Sequence, residues 1–356
     1  MSVQQPSVSI LNDGREVSQY CIQNNNGLSV WLLDLGAIIQ SVMTPDQQGH
    51  VQDIVLGFDH PQQYLDSTGY FGAVIGRCAN RIKHGKFELA SKQYQLDCNN
   101  ADNHLHGGIK GFDKRLWQAT ILSESSIRFS LYSEDGDQGY LGGLWVSVTY
   151  VLTKQNELHI TYDAKSEQTT ILNLTQHSYF NLSGNPAKDV LDHQVQINAE
   201  AYTPVDPHLI PDGELRSVEN SPFDFRQPTL LAKALDLTNS QLSIAHGYDH
   251  NFVLNKRTIE QPYAAIINHS ASGRQLCIAT DMPGMQFYTG NFLNKSDNGK
   301  GNISYGLRSG LCLETQYFPN AINQENFPSV VLPAEQAWQS TTIFSFNTLK
   351  SAQNSH

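Results

Sequence analysis

Apolar and polar residues alternate along much of this chain with a period of two. Val146, Val148, Tyr150 and Leu152 are interleaved with Ser147, Thr149 and Val151. After a polar break at Lys154-Gln155-Asn156, the alternation returns with Leu158, Ile160 and Tyr162. Successive side chains on a strand point to opposite faces, so this pattern predicts a β-hairpin with one buried face. Residues 87–96, 127–132, 195–199 and 264–268 read as strands by the same rule. Clusters of Gly, Asn, Asp and Pro punctuate them at 24–27, 133–142, 204–213 and 296–301. Helical spacing is confined to two short stretches, 61–65 and 229–235.

Many short strands separated by turns imply an all-β protein built as one large antiparallel sandwich with a few short helices. No internal repeat of fixed period supports a propeller. No Ser/Gly- or Pro-rich linker divides the 356 residues, so a single domain over 1–356 is expected.

Composition narrows the function. A net charge of −11 with no basic run argues against a nucleic-acid partner. Only 16% of residues are charged, so much of the polarity is neutral, as in turn-rich β proteins and sugar-binding surfaces. The five cysteines, Cys21, Cys78, Cys98, Cys277 and Cys312, are scattered and form no CxxC, against a disulfide framework or a zinc knuckle. Residues 1–6 lack the basic and apolar regions of a signal peptide, and no 18-residue apolar run suggests a membrane span. The expectation is a cytoplasmic protein, monomer or homodimer.

The most informative chemistry is one carboxylate and one imidazole in apolar company. Glu314 lies in Gly310-Leu311-Cys312-Leu313-Glu314, and His177 in Leu174-Thr175-Gln176-His177-Ser178-Tyr179-Phe180-Asn181-Leu182. Each has an ordinary explanation, a solvent-facing strand Glu and a satisfied core His. Together on separate strands facing one cleft, they would move two protons at once. Asn103-His104-Leu105-His106-Gly107-Gly108 holds an HxH that bears on metal binding, but no carboxylate stands at strand spacing from it. Gly76-Arg77-Cys78-Ala79-Asn80-Arg81 offers two guanidinium groups and an amide as clamps for hydroxyls, or ordinary surface charge. Asp249 in Gly247-Tyr248-Asp249-His250 is either a turn cap or an acceptor for adjacent hydroxyls. Residues 283–291, including Gln286, combine a turn, an amide and aromatics suited to a stacking wall. No GxSxG, GxxxxGK[ST], strand-then-helix GxGxxG or HExxH is present.

Asn80-Arg81, Leu105-His106-Gly107-Gly108, His177-Ser178-Tyr179-Phe180-Asn181-Leu182, Gly247-Tyr248-Asp249-His250-Asn251-Phe252, Gln286-Phe287-Tyr288-Thr289-Gly290-Asn291 and Leu313-Glu314-Thr315-Gln316 together resemble, in composition and order, the aldose 1-epimerases or galactose mutarotases. The resemblance runs over about residues 10–348. It implies a large twisted β-sandwich, the galactose mutarotase-like supersandwich. It also implies an activity, interconversion of the α and β anomers of free hexoses such as galactose and glucose. Glu314 matches the family's general base, His177 its general acid and His106 its second active-site histidine. Asn80, Arg81, Tyr179, Asp249 and Gln286 match substrate-binding positions. No metal or other cofactor is implied; the only partner is a small aldose. One departure is Gln176, where Asn commonly precedes the histidine, which bears on fine positioning. Three rival readings remain: a glycosidase using Glu314 and Asp249, a non-catalytic sugar-binding module, and a hexose 6-phosphate enzyme with Lys114 and Arg115 at the pocket mouth.

Overall fold

A computed structural model describes residues 7–295 and 298–349. Residues 1–6, read above for a leader, and the first two residues of the 296–301 turn lie outside them.

The predicted alternation appears as strands Ser126–Ser133, Leu144–Leu152 and Glu157–Ser166, whose burial alternates residue by residue. They belong to a nine-stranded sheet ordered Gln118–Ser123, Ser126–Ser133, Leu144–Leu152, Glu157–Ser166, Ala337–Thr348, Arg274–Thr280, Ala265–His269, Gln194–Ile197, Thr229–Leu230. Two five-stranded sheets accompany it. One is N-terminal, from Ser7–Ile10 to Val51–Asp53. The other is ordered Arg216–Ser217, Ala199–Thr203, Asp249–Leu254, Gly284–Tyr288, Cys312–Gln316. One apolar core joins the three, with Val30 and Leu32 from the first, Tyr150 and Ile160 from the nine-stranded sheet, and Phe252, Phe287 and Leu313 from the last. Each sheet alone would expose an apolar face to water. Packing face to face buries those faces and produces the all-β sandwich.

Three departures from the expectations have local causes. Residues 87–96 form a hairpin, Lys86–Leu89 with Lys92–Gln95, turned by Ala90 and Ser91 at φ 51° and 60°. The helix expected at 229–235 is a short strand, Thr229–Leu230, followed by one turn of helix, Leu231–Ala234. A further helix, Ser240–Ile244, starts where the Asn239 side chain accepts from the Gln241 and Leu242 N–H groups. No helix among the described residues is long and apolar enough to cross a membrane.

Candidate active site

The neighbouring strands Gly284–Tyr288 and Cys312–Gln316, the latter at the edge of its sheet, are buried at every position. Alternation sends Met285, Phe287 and Leu313 into the core, and the intervening residues to the other face. Register then assembles that face. Gln286 lies directly opposite Glu314, while Tyr288 lies opposite both Asp249 and Cys312. Asp249, which begins a strand rather than capping a turn, accepts from Gln286 Nε2 at 2.7 Å, and an Arg81 guanidinium nitrogen stands 4.0 Å from its other oxygen.

His177 reaches the same face from elsewhere. It lies just beyond the two-residue strand Thr175–Gln176, and so not on a strand as expected. Its N–H donates to Ala73 O, its carbonyl accepts from Gly72 N, and Phe180 and Leu311 exchange backbone hydrogen bonds beside the run into Glu314. Gln176 donates to Gly72 O at 2.6 Å and accepts from Ser178 N at 2.8 Å, a clamp around the imidazole's backbone that performs the positioning. The result sets His177 Nε2 3.6 Å from Glu314 Oε1.

His106 and Asn80 hold each other. The pairing of His104–Leu105 with Arg81–Ile82 brings them together. His106 N then donates to Asn80 O, and Asn80 N donates to His106 Nδ1 at 3.2 Å. Both residues sit at positive φ, 50° and 60°. Gly107 follows because a Cβ there would lie 1.8 Å from Gly76 O. The His106 and His177 rings meet edge to face at 5.3 Å.

These residues line a cleft of about 560 Å³ that also takes in Tyr70, Tyr179, Tyr288, Asn100, Phe292 and the 207–209 loop. Gln286 is buried behind Asp249. Glu314 is 2% exposed and His177 4%, so their charges are poorly solvated. Burial, aided by the Asp249 charge and opposed by Arg81, holds the Glu314 carboxyl well above the usual range. Burial pulls His177 down to about 4 and His106 well below its ordinary value. Both shifts in the Glu314–His177 pair favour uncharged forms, so the pair retains one proton between its members. Glu314 Oε2 and Gln286 Oε1 are buried with no protein partner. Such atoms call for a polar ligand or water.

Ligand atoms of His106, His177 and Glu314 lie within 4.8 Å of one another, a spacing a metal would accept. Yet His106 Nδ1 accepts a backbone N–H, so the neutral ring carries its proton on Nε2, which makes that nitrogen a donor. The two histidines of the HxH do not share a face: His104 turns away, bonded to Asp97 O and the Tyr140 hydroxyl. A second cluster joins Asp192, His193 and His269. Leu182 N donates to His193 Nε2 and Ser272 N to His269 Nδ1, leaving each ring's proton for the shared Asp192 carboxylate. It acts as a structural clamp.

Other candidates fall away. Arg77 is fully buried and donates to carbonyls of Ser133, Glu134, Leu141 and Gly142, away from the cleft. Lys114 Nζ donates to carbonyls of Tyr64, Leu65 and Ser67, and Arg115 pairs with Asp137 at 2.7 Å, so neither cation waits for a phosphate. Sequence reading missed Tyr70, Asn100 and Cys312. Asn100 accepts from Arg81 Nε at 3.1 Å, and Cys312 Sγ lies 3.6 Å from His177 Nδ1.

Comparison with known proteins places these features in context. The aldose 1-epimerase family model matches residues 18–345. Galactose mutarotase of Bos taurus is 46% identical over 331 residues, covering 93% of this chain and 94% of that protein. The Homo sapiens galactose mutarotase is 45% identical, with 94% and 95% covered. Aldose 1-epimerase of Escherichia coli K12 is 36% identical, with 94% and 96% covered. Among solved structures, an aldose epimerase homologue from C. elegans superposes with a TM-score of 0.87 at 29% identity, covering 96% of this chain and all of that one. Galactose 1-epimerase from Lactobacillus acidophilus gives 0.84 at 28%, covering 98% and 100%.

Proposed function

The chain belongs to the aldose 1-epimerase family, and from that premise we propose that Glu314 and His177 are the base and acid with which it works. It is an isomerase that interconverts the α and β anomers of aldoses. The favoured substrates in this reading are free galactose and glucose, galactose because mutarotases of that name are 44–46% identical to this chain.

The observation that carries the assignment is the 3.6 Å approach of His177 Nε2 to Glu314 Oε1 on the cleft floor. Ring opening removes a proton from the C1 hydroxyl, breaks the C1–O5 bond and protonates O5. Both oxygens are bonded to one carbon, so base and acid must be neighbours, as these are. Glu314 takes the hydroxyl proton and protonated His177 supplies the ring oxygen. The open aldehyde rotates about C1–C2, and closure on its other face returns both protons. No proton is gained or lost overall, which suits a buried pair that shares one. Arg81 stands on the side that favours the Glu314 carboxylate and so the working arrangement, Glu⁻ with HisH⁺. His106, its proton held on Nε2, donates beside the ring oxygen. Asp249, held by Gln286 and Arg81, accepts from sugar hydroxyls, with Asn80, Arg81 and Tyr179 completing the sugar's surroundings. Acid and base terms of about 10²–10⁴-fold each suffice for a reaction that already proceeds in water.

The same reading takes residues 1–356 as one domain, acting in the cytoplasm as monomer or homodimer without a cofactor. Five unbridged cysteines suit a reducing compartment. Polarimetry of freshly dissolved α-galactose and α-glucose tests the site. The chain should speed the approach to equilibrium, and Glu314→Gln and His177→Asn should abolish most of that acceleration. Undiminished acceleration in either variant would sink the assignment.

A further inference from the structure

His177 is packed among aromatic rings on several sides. The Tyr179 ring centroid lies 5.0 Å from the imidazole, Tyr70 6.0 Å and Tyr288 6.4 Å, with interplanar angles of 41°, 35° and 65°. Tyr179 and Tyr288 are buried members of a core cluster against which Tyr70 also packs, and all three line the cleft. Tyr70 is different. It is half-buried, lines the cleft, and stands at φ 55°, a backbone conformation unfavourable to any residue with a side chain. Its turn is laced to the imidazole's own backbone, with Ala73 N donating to Tyr70 O, Gly72 N to His177 O and Gln176 Nε2 to Gly72 O. That lacing aims the phenol ring at His106, 4.7 Å away, and at His177.

We propose that Tyr70 completes, with Tyr179 and with Tyr288 just beyond contact range, an aromatic cage that stabilises His177 in its cationic form through the negative faces of the rings. The proposal rests on the reading of His177 as the acid and names what makes that reading workable. An imidazolium in this position has lost its water. The groups facing it are the Glu314 carboxylate, the Cys312 thiol at Nδ1, His106, and, farther off, Asp249 with Arg81; Asp113 acts on Tyr70 from behind. His106 and Arg81 oppose a cation, and a neutral thiol is a weak acceptor. Apart from the Glu314 carboxylate, the more distant Asp249 and a backbone hydrogen bond that favours the charged ring, the aromatic rings are the remaining stabilisers. A cation within about 6 Å of an aromatic centroid gains most when both are desolvated. Tyr70 is thus a positioning residue acting through His177.

Replacing Tyr70 by residues of nearly the same shape separates ring electronics from packing. Tyr70→Phe keeps the negative ring face, whereas Tyr70→pentafluorophenylalanine inverts it. The expected result is a kcat about 5- to 30-fold lower for the fluorinated variant than for Tyr70→Phe, with KM little changed. The His177 ring, followed by NMR in histidine-labelled protein and assigned with His177→Asn, should titrate about one pH unit lower in the fluorinated variant than in Tyr70→Phe. This second readout is independent of whether His177 is the catalytic acid, so failure of the cage and failure of the assignment are distinguishable. Equal His177 titration in the two variants would overturn the proposal. So would a loss in Tyr70→Phe as large as in the fluorinated variant, or a change confined to KM.

Discussion

The sharpest consequence of burying the Glu314–His177 pair is the position of the acid limb in its pH–rate profile. An ordinary carboxylate and an ordinary imidazole would hold exactly one shared proton only between about pH 4.3 and 6.5, and at pH 8 about 3% of such pairs would remain competent. Burial changes both limits. On the acid side the pair fails when His177 takes a second proton, and that step is pulled down to about 4. On the alkaline side it fails when its only proton leaves, and burial together with the Asp249 charge pushes that step upward from the carboxylate range. The acid limit is thus set by the imidazole and the alkaline limit by the carboxyl, the reverse of an exposed pair. The expected kcat/KM therefore shows an acid limb centred near 4, where His177 charges, and an alkaline limb above the ordinary carboxylate range, where Glu314 loses its proton. Because kcat/KM reports the free enzyme, the unliganded groups described above are the relevant ones. The assay is polarimetry on α-galactose, with the spontaneous rate subtracted at each pH and activity rechecked on return to neutrality. An acid limb centred at the ordinary imidazole value of about 6.5 would refute the reasoning.

Three further outcomes follow from named contacts. Asp249→Asn removes a charged acceptor for sugar hydroxyls, and KM for galactose should rise about 10- to 100-fold; an unchanged KM would remove Asp249 from the site. Gly107→Ala forces a Cβ to 1.8 Å from a backbone oxygen at φ 87°, so stability should fall by more than about 3 kcal/mol in thermal or denaturant unfolding, and an unaltered Tm would contradict the close approach. Asp192→Asn should cost about 1–2 kcal/mol at neutral pH, a figure kept low because the carboxylate is half-exposed. Its folded pKa of about 2 lies below the unfolded 3.8, so this stability is present above pH 4 and disappears as pH falls toward 2. A stability difference between parent and variant that ignores pH over that range would exclude the clamp.

The hairpin of residues 144–166 was legible because alternation directly encodes which face is buried. The turn at Ala90-Ser91 was not, since neither residue is one that normally marks positive φ. Ser240–Ile244 was too short to display a helical period, although Asn239 before it is a cap. At the site, residue types and family motifs pointed to Glu314, His177, His106, Asp249 and Gln286, and all of them line or border one cleft. What motifs could not convey is register. Gln286 opposes Glu314 only because of how two strands pair. Arg77 and Arg81, four residues apart, differ entirely, one bonded to buried carbonyls and the other beside Asp249. Tyr70 carried no signal of its own, because its contact with His177 joins segments more than a hundred residues apart.

The central claim is that Glu314 and His177 act as one proton-exchanging unit, and a double-mutant cycle tests it most directly. Polarimetric kcat for galactose would be measured for the parent, Glu314→Gln, His177→Asn and the double variant. Each single change should lower kcat by about 10²-fold or more, and the double variant should be no more than a few-fold slower than the worse single. Losses that multiply, or a single variant as fast as the parent, would show that the two side chains do not share the chemistry.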